Sequence, residues 1–386
     1  PELFAVDKPY VTRNGGLPSR TVTVWGKGFG AAQGNGKVTL GTRTMNVLSW
    51  SDRQIQFAVL PSMPLGPQQL SIQVDNRQTL INALTIHVLG ASYNPTLFEV
   101  GPGRPYATIQ SALEAAAGVP RALVVVWPGT PEQWNPGGEY FENIVIHSPV
   151  KLQGVGPGGV YDDGSIVLGS VLNGSGFGGD TVIADNWRAL VAGLNWVGNQ
   201  NVYEGAVITV FAETQNQFTS SYAASIDGFT IQGGDQQGFP APGVVVDVQG
   251  GGIFVNGYAR YLQIANNVLQ SNGGSYGAAI RLGTPDLLPD DPAKDAQNDN
   301  ITIHNNQILA NGGVNLAGAL GIFNGSERYD VSYNDFCGNF SAEYGGAISH
   351  YGYSPFGRIH NNRIYFNRSY DEGGAIMIAG ELAPNP

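Results

Sequence analysis

The chain has 386 residues, 55 of them glycine, with 42% hydrophobic and only 13% charged side chains, a composition rich in turns that still fills a core and so excludes a disordered chain. Its net charge of -11, with 19 basic residues and no long basic run, repels phosphate backbones, which excludes nucleic acid and disfavours anionic polysaccharide. The single Cys337 cannot close an internal disulfide, and no run of about eighteen apolar residues is present to span a membrane.

From Thr21 onward, short alternating runs are broken by turns: TVTVWGKGFG, KVTLG, MNVLSW, IQFAVLP, QQLSIQVDN and ALTIHVLG. Alternation with period two between Gly, Pro, Asn and Asp clusters predicts half-buried antiparallel strands, and several at this spacing predict a β-sandwich over residues 1–90. The segment resembles the IPT/TIG family of immunoglobulin-like domains in the V-x-G-x-G-F-G stretch Val24 to Gly30, the strand Lys37 to Gly41, the turn Ser49 to Asp52 and the turn Pro64 to Pro67. That resemblance implies a spacer, or a module packed beside a functional domain in surface and extracellular proteins.

Residues 91–104, ending in a Gly-Pro-Gly-Arg turn, read as a linker. The following YATIQSALEAAAG predicts a helix with Thr108 as N-cap, Ile109, Leu113 and Ala116 on one face and Gly118 as its stop. Strands ALVVVWPG and, after a loop, YFENIVIHSPVKLQG come next. This order resembles the start of the pectate-lyase-like β-helix superfamily, where a Y-x-T-I-Q-x-A helix covers the open end of the solenoid. An exposed apolar cross-section and an unpaired strand edge need such a cover. The sequence departs from that pattern by inserting Pro131 to Gly138. Trp127, Trp134, Tyr140 and Phe141 surround the insertion, and their rings either pack on the cap or stack on sugar faces; Trp127, Trp134 and Tyr140 are the glycan-binding candidates.

Four repeats follow: LQIANNVLQSN, ITIHNNQILAN, YDVSYNDFCGN and GRIHNNRIYFN. Matching the second residue of each Asn pair places Asn267, Asn306, Asp335 and Asn362 in one column, with steps of 39, 29 and 27. Small-residue turns before an apolar strand give a second column, Ile253, Ile280, Leu320, Ile348 and Ile376, with steps of 27, 40, 28 and 28. Two markers with one period predict a right-handed parallel β-helix over residues 105–386, making the chain all-β. The first column is expected to be a hydrogen-bonded Asn ladder. The same alignment points Cys337 inward, as a buried inert thiol. It sets His304 and His360 outward beside Tyr333 and Ala265, two rungs apart. The glycine-alanine turns also resemble repeats of bacterial surface adhesins. The last rung runs into ELAPNP without a cap, so more chain or a partner is expected to follow, and the chain reads as part of a longer protein or a larger assembly.

Chemistry has several candidate seats. Asp162, Asp163, Asp180 and Asp185, with Arg188 beside the last, are the residues available to an acid, base or enolate-stabilising role. The W-x-D-H and R-x-P-x-x-R elements of pectate lyases and the N-T-D, G-H-G and R-I-K elements of polygalacturonases are missing. The insertion Thr284 to Asn300 carries Asp286, Asp290, Asp291, Asp295 and Asp299, a carboxylate-rich loop in which the last four are the candidates to hold Ca²⁺, although no cofactor is required by the pattern. Two functions stay open: an extracellular or cell-surface rod that adheres to or binds a polysaccharide or surface glycan, and a polysaccharide lyase or glycoside hydrolase of the β-helix class.

Overall fold

Asparagine stacking organises the C-terminal rungs of the molecule, seen in a computed structural model that describes residues 1–80, 83–179, 181–194, 205–213, 217–234, 251–274, 276–283, 295–313 and 315–379. At each of two corners an Asn side chain sits in the same place on successive rungs. The Oδ1 of Asn306 accepts from both the backbone N–H (3.0 Å) and the Nδ2 (3.1 Å) of Asn267, and Asn334 and Asn362 continue the column in the same way. A second ladder runs through Asn272, Asn311, Asn339 and Asn367. Each buried amide thus satisfies backbone donors that the turn would otherwise strand. The residue before each Asn of the first ladder is left-handed: Asn266 (φ 59), Asn305 (φ 55), Tyr333 (φ 57) and Asn361 (φ 54). Asn tolerates that region; Tyr does so less readily.

The ladder corrects the alignment of the third repeat by one residue. Asn334, not Asp335, stacks under Asn306, so the steps are 39, 28 and 28. Tyr333 holds the left-handed corner that Asn holds in the other three rungs, and this substitution moved the apparent Asn pair one place on. Two expectations change with it. Phe336 points inward between Ile308 and Ile364, whereas Cys337 pairs with Leu309 and Tyr365 and is half-buried on the outer face. The outward row of the neighbouring sheet reads Ala265, His304, Ser332 and His360, with Ser332 in the place expected for Tyr333.

Three long parallel sheets and a fourth of two-residue strands, from Gly273–Gly274 to Arg368–Ser369, wind into a right-handed β-helix. The eight-stranded sheet runs from Thr96–Val100 through Ala122–Val126, Lys151–Gly154 and Ser225–Asp227 to Arg358–His360. The six-stranded sheet starts at Val171–Asn173 and ends at Arg363–Tyr365. The seven-stranded sheet starts at Ile144–Ile146 and ends at Ile376–Ala379, and its register holds Ile253, Ile280, Leu320, Ile348 and Ile376 in one row. Inward rows of Ile, Leu and Val make one continuous core. Thr96–Val100 lies within the segment expected as a linker, yet it pairs in parallel with Ala122–Val126 as the first strand of the eight-stranded sheet.

The cap helix covers residues Ile109–Ala116, with Thr108 accepting from the Ser111 N–H and Ile109, Ala112, Leu113 and Ala116 buried on the first rung. Glu142 adds an unforeseen anchor. Its carboxylate accepts from the N–H groups of Ile109 (2.9 Å) and Gln110 (3.1 Å) at the positive end of the helix.

The N-terminal module is a sandwich of a four-stranded and a five-stranded sheet with its own core. All six strand segments expected from Thr21 onward are present, and Glu2–Val6 and Tyr10–Thr12 precede them. The sandwich is docked along the flank of the helix. Val6 N–H donates to Val155 O and Gly158 N–H to Phe4 O, both at 2.8 Å. Gly156 (φ 125) permits this approach, because a Cβ there would stand 2.5 Å from Phe4 O. Beside it, buried Asp227 accepts from Thr85 N–H (3.1 Å), Thr85 Oγ1 (2.7 Å), Gln153 Nε2 (2.8 Å) and Asn266 Nδ2 (2.7 Å).

Candidate functional site

Strands alternate their side chains, so the outer face of the six-stranded sheet is two parallel rows. One row reads Val171, Thr230, Val268, Gln307, Asp335 and Arg363; the other reads Asn173, Gln232, Gln270, Leu309, Cys337 and Tyr365. Neighbouring rungs are about 4.8 Å apart. Over its first rungs the face is therefore a ribbon of amides, Val and Thr along the solenoid axis, and its last two rungs carry Asp335, Arg363 and Tyr365.

The insertion Pro131 to Gly138 delivers one carboxylate to this ribbon. It is cinched by Gly129 N–H to Gly138 O (3.0 Å) and by paired bonds between Glu132 and Asn135. The buried Asn135 side chain then clamps the backbone of Glu139, accepting from its N–H (2.9 Å) and donating to its carbonyl (3.0 Å). Next along the chain, Tyr140 N–H donates to Val171 O and Asn173 N–H to Tyr140 O, both at 2.9 Å. Glu139 is thereby held over the sheet. Its Oε2 accepts from Asn173 Nδ2 (2.6 Å) and Gln232 Nε2 (3.2 Å), and Gln270 Nε2 donates to Gln232 Oε1 (2.9 Å).

Opposite stand Glu2, Leu3 and Phe4 of the sandwich and the hairpin formed by Gly159–Val160 and Ile166–Val167. Between these walls lies an open cleft of about 400 Å³, with Val171, Thr230, Val268, Gln232, Gln270 and Gln307 as its floor. The described lining holds two carboxylates, Glu2 and Glu139, and no Lys, Arg, His or Tyr. Glu2 is paired with Lys27 at 3.4 Å.

The aromatic candidates separate. Tyr140 is buried in the solenoid core, donates to Trp127 O (2.8 Å), and is pushed up to about 12 by burial. Trp127 is packed at the junction of the two modules, donating to Glu99 (3.1 Å) with the Arg104 guanidinium 4.4 Å from its ring. Trp134 is 69% exposed on the inserted loop, tilted against Phe141 at 5.5 Å, with its indole N–H on Glu132.

The acidic candidates are not brought together. Asp162 and Asp163 form the turn of the hairpin. Asp163 is tied to Ser165 and, at 2.6 Å, to Arg53 of the sandwich, and these bonds hold its carboxyl well below the usual range. Asp185 and Arg188 pair at 3.3 Å on the exposed face of the helix Thr181–Val191. Asp180, Asp290 and Asp291 lie outside the described residues. Asp295 bonds the backbone and side chain of Gln297 (2.8 and 2.6 Å), and Asp299 pairs with Arg260 at 2.7 Å. Nearby Glu327 is raised to about 8, first by burial and then by its contact with Asp299. Among the described residues no three His, Cys, Asp or Glu side chains are placed to hold a metal ion. His360 bonds Asp330 at 2.9 Å on the outer face of the eight-stranded sheet.

Sequence reasoning missed Glu139, the row Asn173, Gln232 and Gln270, and Arg281. The amides carried a signal: Gln270 stands three residues after the ladder Asn267, at an outward position. Arg281 is wholly buried on the outer side of the seven-stranded sheet, its guanidinium 4.9, 5.0 and 5.5 Å from the rings of Phe254, Tyr276 and Phe323. Nothing in the repeat pattern distinguishes it from an exposed arginine.

Fold and cleft together define a two-module all-β protein, an immunoglobulin-like sandwich docked on a parallel β-helix that carries an amide-lined groove. Comparison with protein families places the first module: residues 11–88 match the IPT/TIG domain. IPT/TIG domains are typical of extracellular and surface proteins, and no helix among the described residues is long and apolar enough to cross a membrane. A search of curated proteins gives no match to the chain.

Proposed function

We propose that this is an extracellular or cell-surface carbohydrate-binding β-helix protein whose cleft holds an extended glycan along the solenoid axis. The observation that carries the reading is the amide row Asn173, Gln232 and Gln270 beneath Glu139, repeated rung by rung beside an apolar strip from Val171 to Val268. A sugar presents hydroxyls around a flat apolar face, and a surface alternating amides with Val and Thr meets both. A lyase needs a base near the sugar carbon, and a hydrolase needs two free carboxylates about 5–9.5 Å apart. The described lining, with Glu2 paired to Lys27, supports binding over either reaction.

Titration calorimetry against a panel of oligosaccharides tests this. At least one is expected to bind, and Gln232→Ala and Gln270→Ala are each expected to weaken it about 3- to 10-fold, the worth of one hydrogen bond. The panel should also be followed for unsaturated products and reducing ends. Release of either would favour the enzymatic alternative, and binding indifferent to both glutamines would move the site elsewhere.

A further inference from the structure

Resting on the reading of the cleft as a glycan site, we infer that it selects a sugar polymer bearing free amino groups over neutral or acidic ones. The hydrogen bonds of the amide row have a fixed direction. An ionised carboxylate only accepts, so Asn173 and Gln232 must turn their NH₂ groups toward Glu139 Oε2. Gln232 then presents its carbonyl oxygen to Gln270, whose NH₂ must donate to it. The relay has one polarity, running from Gln270 through Gln232 to Glu139. Each amide commits one of its two N–H donors inward, and the acceptors Glu139 Oε1 and Gln270 Oε1 take no hydrogen bond among the described residues.

The charge is equally one-sided. Among the described residues Glu139 has amide partners and no cationic one, whereas Glu2 on the facing wall is paired with Lys27 at 3.4 Å. No Lys, Arg or His lines the cleft among its described residues, and the whole chain carries a net charge of -11. A uronic acid brought here meets the like charge of Glu139. A neutral hydroxyl satisfies the acceptors but leaves the carboxylate without a counter-ion. A protonated amine does both, forming a charge-assisted hydrogen bond with Glu139. The partial burial of Glu139 over the sheet makes that bond less screened than a free surface pair.

The test compares hexamers of glucosamine, N-acetylglucosamine and galacturonic acid, titrated into the whole chain and into Glu139→Gln. Wild type is expected to bind the glucosamine hexamer about tenfold more tightly than its N-acetylated form, and the galacturonate weakest of the three. In E139Q the ratio between amine and acetamide should fall to near one. Gln keeps an oxygen acceptor for Asn173 and Gln232, so the variant should unfold at the wild-type temperature. Should it not, the wild type alone decides, because its preference must shrink with added salt and above the pH at which the amine loses its proton. Equal binding of amine and acetamide, a preference that survives E139Q in folded protein, a preference indifferent to salt and pH, or tightest binding of galacturonate would overturn the inference while leaving a glycan site in place. No binding of any hexamer, with no other oligosaccharide of the panel bound, would remove both.

Discussion

Replacing Asp227 by alanine is expected to loosen the sandwich from the solenoid. This carboxylate is 3% exposed and receives four hydrogen bonds, two from Thr85 of the sandwich and two from Gln153 and Asn266 of the solenoid. Alanine leaves all four donors facing a void. The two amides can rotate toward other acceptors, as Asn266 already shares bonds with Gln69. The Thr85 N–H cannot move without its strand. With one fixed and three adjustable donors, each stranded group costing about 1–3 kcal/mol, the net loss should be about 3–5 kcal/mol. Denaturant unfolding followed by tryptophan fluorescence gives the stability change, and hydrogen exchange at Thr85 localises it. The double variant with Thr85→Val should lose clearly less than the sum of the two single variants, since they share one contact. A loss below about 1 kcal/mol, or unchanged exchange at Thr85, would refute the idea that this carboxylate holds the modules together.

Acid should weaken the same junction through His87. Its wholly buried ring bonds Tyr93 OH (2.8 Å) and Gln153 Oε1 (2.9 Å) and is pushed down to about 3 by loss of hydration. The unfolded chain takes up that proton near pH 6.5, so stability is full above this value. It should fall by about 1.4 kcal/mol per unit as the pH drops towards 3. A His87→Asn variant should lose that part of the slope between pH 6.5 and 4.5, and parallel profiles for the two proteins would contradict the assignment. In the ladder, Asn334→Ala strands donors and acceptors on two neighbouring rungs and should cost about 3 kcal/mol, whereas Asp335→Ala gives up the outward bonds from Arg363 (2.7 Å) and Tyr365 OH (3.2 Å) and should cost less, about 1 kcal/mol; urea midpoints in the reverse order would restore the one-residue shift. Cys337, on the outer face, should be alkylated by a small maleimide in the native protein, and a thiol that reacts only in denaturant would mean that it points inward.

How far the sequence carried each element depended on whether its cause was local or repeated. The cap helix was legible because Thr108, the apolar face and Gly118 lie within a dozen residues. The solenoid was legible because every rung buries the same positions, so the sequence must repeat them. Within the repeats, the register slips by one at Tyr333, Asn334 and Asp335, where a rung uses a tyrosine at a left-handed corner. Only the stacked amides of the neighbouring rungs show which residue is in line.

The cleft was not legible, for the opposite reason. Glu139 comes from an inserted loop, Asn173, Gln232 and Gln270 from three successive rungs, and Glu2 from the other module, so residues far apart in the chain meet only after winding and docking. Chemistry visible in the linear sequence, such as the pair Asp162 and Asp163 or the carboxylates Asp295 and Asp299, turned out to be committed to turns and ion pairs where the structure describes it. By itself the sequence determined an immunoglobulin-like module followed by a capped parallel β-helix, because period and pattern express burial directly. Tertiary structure alone decided that the sandwich lies along the flank of the helix, and that its first strand walls a groove over the amide row. Docking depends on surfaces that leave no periodic trace.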